Sequence, residues 1–156
     1  SEPNSVSSIA EYQEKAGNYG FTIEAVGVAE QSEVAQAVDT LIKKKVDCFS
    51  NLLDNNVVNV LASTLEQTNE AGIPIYGSEI EQVKMGCVAS AGIDYIELGR
   101  KTGQMAAKIL RGEAKAEDMP YETISEYGLY VNSKAMKEMN ITLPEALSTK
   151  AEDVAE

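Results

Sequence analysis

Apolar residues at helical spacing alternate with short strand-like runs along almost the whole chain, and only a few residues separate one run from the next. Strand and helix in regular succession imply crossover units that lay strands side by side in parallel and cover the sheet with helices. The expected fold is therefore α/β, a three-layer parallel sheet with helices on both faces. With 156 residues the chain fits one domain, large enough to bury a core but too short for two full lobes.

The punctuation places the elements. Pro3 stands where a first-turn proline is tolerated, and Val6, Ile9, Ala10, Gln13 and Ala16 follow at helical spacing until Gly17 and Gly20 stop the helix. Residues 21–28 are expected to form a strand, with Phe21, Ile23 and Ala25 alternating against Thr22 and Glu24. Ser32 is the expected N-cap of a helix with Val34, Ala35, Val38, Leu41 and Ile42 on one face. Its C-terminus carries Lys43, Lys44 and Lys45, where cations suit the helix dipole. Residues 46–53 make a compact strand ending at Asp54, Asn55 and Asn56. A helix over 57–71 then turns Val57, Val60, Leu61, Thr64 and Leu65 inward and closes at Gly72.

Residues 73–77 and 86–91 are expected as short strands on either side of a polar loop, 78–82. Asp94, with Glu97 three residues on, opens a long helix over about 95–111, whose inward face is Ile96, Gly99, Thr102, Met105, Ala106 and Ile109. A strand over 121–131 and a short helix over 133–139 complete the pattern, and the acidic end from Thr149 is expected to fray. The first helix has no strand before it, so one central strand position is expected to be empty.

Composition removes whole classes of function. The chain has 25 acidic against 13 basic residues, a formal net charge of -12 that repels phosphate backbones and anionic lipid alike. No apolar run approaches the roughly 20 residues of a membrane span. Histidine is absent, which removes the usual general base and any Ser–His or Cys–His pair. No glycine-rich phosphate loop is present either. The expectation is a protein that is not an enzyme and uses neither cofactor nor metal; catalysis by Asp54 and Glu79 alone is the one enzymatic route left. Cys48 and Cys87 both lie in apolar strand-like runs and are expected to be buried free thiols.

In sheets of this kind ligands gather at the carboxyl ends of the strands. That rule singles out the turn at Asp54, Asn55 and Asn56 and the turn at Ser78 and Glu79. Four strings carry a resemblance: Ser1-Glu-Pro-Asn-Ser5, Leu53-Asp-Asn-Asn56, Ile73-Pro-Ile-Tyr-Gly-Ser-Glu79 and Gly92-Ile-Asp-Tyr-Ile-Glu-Leu-Gly99. In this order and at these separations they resemble the ABC transporter substrate-binding proteins of the tryptophan/tyrosine-binding type. The resemblance runs from residue 1 to about 143.

The resemblance implies a type I periplasmic-binding-protein fold, with two α/β lobes joined by a three-stranded hinge and closing on a ligand. On that basis residues 1–91 are the core of the second lobe, 92–120 a crossing helix belonging to the first, 121–143 a returning strand and short helix, and 144–156 an acidic tail. The opening strand of this lobe and the first lobe are not among these residues. The implied function is capture of a small molecule, an amino acid of the kind that includes the aromatic ones, for delivery to ABC permease subunits. The implied location is extracytoplasmic, on a lipid anchor in the full-length protein. An amino acid needs a carboxylate for its ammonium group and hydroxyl, amide or backbone donors for its carboxylate. Asp54 and Glu79 are the candidates for the first role, Asn4 and Ser5 for the second, Asn55 for either end of the ligand, and Ser78 is a further ligand candidate. Tyr76 is a candidate aromatic wall. Helix capping is the competing role for each acid, and turn geometry the competing role for Asn55 and Ser78. Exposed sheet edges would favour a dimer. The alternative function is an effector-sensing domain of a transcriptional regulator built on the same lobe.

Overall fold

A computed structural model describes residues 2–124 and 127–155. Ser1 of the first string, positions 125 and 126 of the expected returning strand and the final residue lie outside the described residues. Five strands form one sheet in sequence order: β1 (Phe49–Ser50), β2 (Ile75–Tyr76), β3 (Ala89–Ile93), β4 (Tyr127–Val131) and β5 (Ala151–Asp153). The α/β class read from the sequence is the observed one.

The sheet is mixed, however, and not wholly parallel. β1 with β2, β2 with β3 and β4 with β5 are parallel pairs, while β3 and β4 run antiparallel. Ile93 pairs with Tyr127, so the chain re-enters the sheet at the end where it left. A strand that returns at the same end must run the other way.

Two apolar clusters make the core. One joins Leu61, Leu65, Ile75, Val83, Cys87 and Tyr130; the other joins Val28, Val34 and Val38, and Phe49 packs against both. The expected helix over 57–71 is two helices, α3 (Asn55–Val58) and α4 (Leu61–Glu70), because Val60 leaves helical geometry at φ -114° and ψ 16°. The break serves the two clusters: Val57 and Val60 pack on the Val34 side, and Leu61 and Leu65 on the Ile75 side. Thr64 is buried with Leu61 and Leu65, as their spacing requires. Gly72 ends α4 at φ 69°, a left-handed position that glycine takes without strain.

The second helix, α2 (Val34–Lys43), starts from a different residue than Ser32. Glu30 caps a single 3₁₀ turn (Gln31–Glu33) that leads into α2, and the Glu33 carboxylate reaches back to the N–H groups of Ala29 and Glu30 at 2.7 and 3.3 Å. Two glutamates three residues apart close a reciprocal box, and the chain begins to coil before Ser32 can act as cap.

Three expectations about coverage change. Residues 21–28 join no strand of the sheet, which ends at β1; Phe21 is 64% exposed and Val28 is the buried residue of the segment. The segment stays outside the hydrogen-bonded ladder of the five strands, although Phe49 of β1 packs against the cluster that Val28 joins. The long helix α6 (Tyr95–Leu110) begins where expected, with Asp94 accepting from the N–H groups of Ile96 and Glu97. Its expected inward face is not inward: Ile96 is 74% exposed, Ile109, Gly99, Thr102 and Ala106 are exposed, and Met105 alone of that face is half-buried. α6 makes no extended contact with another element, so its apolar side has no layer to rest on. Lys101 ties it to the following segment through Glu122 at 2.9 Å and the Thr123 carbonyl at 3.3 Å.

The acidic end, in contrast, is anchored where fraying was expected. β5 pairs with β4, and the Val154 N–H donates to the Val131 carbonyl at 2.9 Å while its side chain packs on the core. Asp153 does the fastening: Oδ1 accepts from the Ser133 and Ala155 N–H groups, both at 3.1 Å, at the start of α7 (Ser133–Glu138). The thiols differ as well. Both are free, but Cys48 is exposed, because it precedes the short strand β1, and Cys87 alone is buried.

Candidate functional site

The site is built where the first helix, α1 (Pro3–Ala16), meets the turn after β1. Proline at the first helical position presets the entry angle of α1. The Asn4 carboxamide then donates to the Leu53 carbonyl at 2.9 Å, and the Glu2 N–H donates to Asp54 Oδ2 at 3.0 Å. In return the Asn55 side chain and N–H donate to the Glu2 carboxylate at 2.7 and 3.3 Å. Four reciprocal hydrogen bonds thus fasten the start of one helix to a turn about fifty residues later in the chain.

The second turn reaches the same place from β2. Ser78 Oγ donates to the Asn51 carbonyl at 2.6 Å, and the Ser78 N–H donates to Gln82 Oε1 at 3.0 Å. Glu79 caps the next helix, α5 (Ile80–Met85), accepting from the Glu81 and Gln82 N–H groups, each at 2.7 Å. Between α1 and the two turns lies an open cleft of about 270 Å³, lined by Asn4, Ser5, Ser8, Tyr12, Leu52, Leu53 and Ser78.

Of the six candidate ligand residues, Asn4, Ser5 and Ser78 line this cleft and Asp54, Asn55 and Glu79 do not. Asp54 is buried, with its second oxygen accepting from the Asn56 N–H at 3.0 Å. The Glu2 N–H, ahead of that of Asn56, holds its carboxyl below the usual range, while burial works in the opposite direction. The Ser5 hydroxyl adds a weaker pull, although it falls short of a full hydrogen bond to any partner. Asp54 therefore braces α1 against α3. Asn55 is tied to Glu2, and Glu79 stands half-buried beside Ser78. Tyr76 is 38% exposed and lies outside the cleft lining.

The cleft also contains residues that the sequence reading passed over: Ser8, Tyr12, Leu52 and Leu53. Asn4, Ser8 and Tyr12 stand at i, i+4 and i+8 on α1 and so share one helix face, a spacing that was there to be read. The two leucines gave no comparable sign, since apolar residues at the end of a strand are ordinary. Among the described residues no group of three or more Cys, Asp or Glu side chains is placed to hold a metal ion. Among the same residues no helix is long and apolar enough to cross a membrane.

Comparison with known proteins gives one consistent answer. The family described as ABC transporter substrate binding protein matches residues 1–155. A tyrosine-binding protein from Clostridioides difficile is 31% identical over 141 residues, which are 90% of this chain and 40% of that protein. Among solved structures, an ABC domain in complex with L-Trp from Streptococcus pneumoniae superposes with a TM-score of 0.85 at 30% identity, covering 99% of this chain and 52% of the other. A ligand-free, open structure of a substrate-binding protein with adhesive properties from Clostridium difficile gives 0.77 at 31% identity, with 99% and 51% covered. A conserved domain protein from Vibrio cholerae gives 0.84 at 26%, again with 99% and 51% covered. The chain thus spans about half the length of these solved chains and 40% of the curated relative.

Proposed function

The chain belongs to the ABC transporter substrate-binding protein family, and we propose that it supplies one lobe, with a crossing helix, to the solute-capturing component of an importer. The proposed cargo is an amino acid with an aromatic side chain, handed to the permease subunits outside the cytoplasmic membrane, where a lipid anchor would hold the full-length protein.

The observation that carries this reading is the cleft at the start of α1, where Asn4, Ser5 and Ser78 converge from separate elements. The second N–H of the Asn4 carboxamide and the Ser5 hydroxyl, at the N-terminal end of a fourteen-residue helix, suit a carboxylate, whereas the Ser78 hydroxyl proton is given to Asn51. The Ser5 hydroxyl is buried at the cleft and makes no full hydrogen bond, only its weaker pull on Asp54. Tyr12, 42% exposed, offers a flat apolar surface along the same helix face. Within this reading Glu79 meets the ammonium group, since each of its oxygens keeps a lone pair beyond the backbone N–H it accepts. Asp54 and Asn55 hold the frame. The tryptophan bound in the Streptococcus structure and the tyrosine-binding relative support the choice of cargo.

Helix α6 supports the crossing role, because a sixteen-residue amphipathic helix with no buried residue requires a surface from elsewhere. β1 ends the sheet with its outer edge towards no strand, and the 156-residue chain alone is proposed to pair through that edge. Light scattering that gave a monomer mass would remove the dimer.

The function is tested by thermal unfolding of the full-length protein with each of the amino acids. Tryptophan or tyrosine at about a hundred times its Kd should add about 2.7 kcal/mol and raise the melting temperature. No rise with any amino acid at millimolar concentration would sink the reading.

A further inference from the structure

The turn at Ser78 and Glu79 is gripped by residues that never reach the cleft. Gln82 is 1% exposed, yet its carboxamide oxygen accepts from the Ser78 N–H at 3.0 Å. The carboxamide lies against Gly77, where an added Cβ would sit 3.1 Å from Gln82 Oε1 and 3.0 Å from its Cβ. Its Nε2 is buried without a hydrogen-bond partner. An apolar side chain of similar size would avoid burying that group but would leave the Ser78 N–H without its acceptor, so what the glutamine supplies here is its hold on the turn.

A third support comes from β3. Gly92 packs directly behind the turn: a Cβ added there would lie 3.2 Å from both the Ser78 carbonyl oxygen and Glu79 Cα, which are backbone atoms. Gly92 is also two residues before Asp94, the cap of α6. The strand that leads out to α6 and the turn that carries Ser78 therefore touch backbone to backbone. With the Ser78 hydroxyl bonded to the Asn51 carbonyl, the turn is fixed from three directions.

We propose that Gln82 and Gly92 are positioning residues for ligand binding, which set the Ser78–Glu79 turn in the orientation that the cleft uses. The proposal rests on the reading of the cleft as an amino-acid site. A residue that only stabilises the fold lowers the melting temperature and leaves the affinity of the folded protein alone. A positioning residue changes affinity and loosens the turn locally.

The test compares Gln82→Leu, Gly92→Ala and the core control Leu61→Ala in the full-length protein. L-Tryptophan and L-tyrosine are the titrants, and amide hydrogen exchange is followed across residues 77–82. Gly92→Ala keeps every hydrogen-bonding group and serves alone if Gln82→Leu does not fold. The expected result is a Kd raised on the order of tenfold in both positioning variants, with faster exchange in the turn. Leu61→Ala should lower the melting temperature with Kd within about twofold. Unchanged Kd in both positioning variants overturns the proposal while leaving the amino-acid site standing. If the wild type binds neither titrant, the amino-acid reading fails and the positioning role falls with it, an outcome distinct from unchanged Kd in variants of a protein that binds.

Discussion

Two groups of segments in this molecule use the same sequence grammar with opposite results. In one, α4, α5 and the middle strands bury Leu61, Ile75 and Val83 to 2% exposure or less. In the other, α1, residues 21–28 and α6 leave Val6, Phe21, Ile96 and Leu110 between 55% and 87% exposed. Each of these segments carries apolar residues at regular spacing. Periodicity states that a face requires cover; it does not say which chain or lobe provides it. The start of α1 belongs to the half-covered group and is fastened to the turn after β1, so the cleft stands at the border between the two groups.

The largest effect expected from this contrast is on stability. Leu61→Ala should cost about 2–5 kcal/mol in denaturant unfolding of the 156-residue chain, as the loss of a fully enclosed leucine does elsewhere. Ile96→Ala and Leu110→Ala should stay within about 0.5 kcal/mol in the same chain. Equal losses at the two kinds of site would break the comparison. A larger loss for Ile96→Ala in the full-length protein than in this chain would sharpen it, by showing that α6 is covered there.

A smaller effect is expected at the border itself. Asp54→Ala should cost about 1–2 kcal/mol near neutral pH, the scale of a lost helix cap. The Asp54 carboxyl is held lower in the folded protein than its ordinary value. Its contribution is therefore complete above about pH 4 and fades as pH falls through the lower folded value. The difference between wild type and variant should shrink as pH falls below about 4 and through that lower value, and a constant difference across that range would contradict the hydrogen-bonded role.

The thiols give the finest comparison. Burial, with the Glu79 charge as the smaller cause, pushes the Cys87 thiol up to about 12, whereas Cys48 is exposed and raised less, by partial burial and by Asp47. Alkylation near pH 8 should label Cys48 in the native protein and Cys87 only after denaturation. Equal labelling rates for the two would show that the packed group opens as readily as the other.

These contrasts also explain what could be read from the sequence. Local rules reached the elements whose cause is local: Pro3 at the start of α1, Asp94 at the start of α6, Gly72 after α4, and Leu61, Thr64 and Leu65 on one face. The ordered strings identified the family. Features decided by distant partners were not legible. β4 runs antiparallel because of where the chain returns, residues 21–28 stay outside the five-stranded sheet despite their alternation, and Asp153 turns an acidic end into an anchored one. In the cleft, Asn4, Ser5 and Ser78 were within reach as polar residues at element ends. The bracing role of Asp54 depends on Glu2, fifty-two residues away, and Gln82 looks like any surface glutamine until the sheet closes over it.

The central claim is that the cleft beside α1 reads the carboxylate of an amino acid. Its most direct test is calorimetric titration of the full-length protein with L-tryptophan and tryptamine side by side, two molecules that differ only in that group. The account predicts saturable binding of tryptophan and at least about tenfold weaker binding of tryptamine. Equal affinity for the two, or no heat with tryptophan, would contradict it.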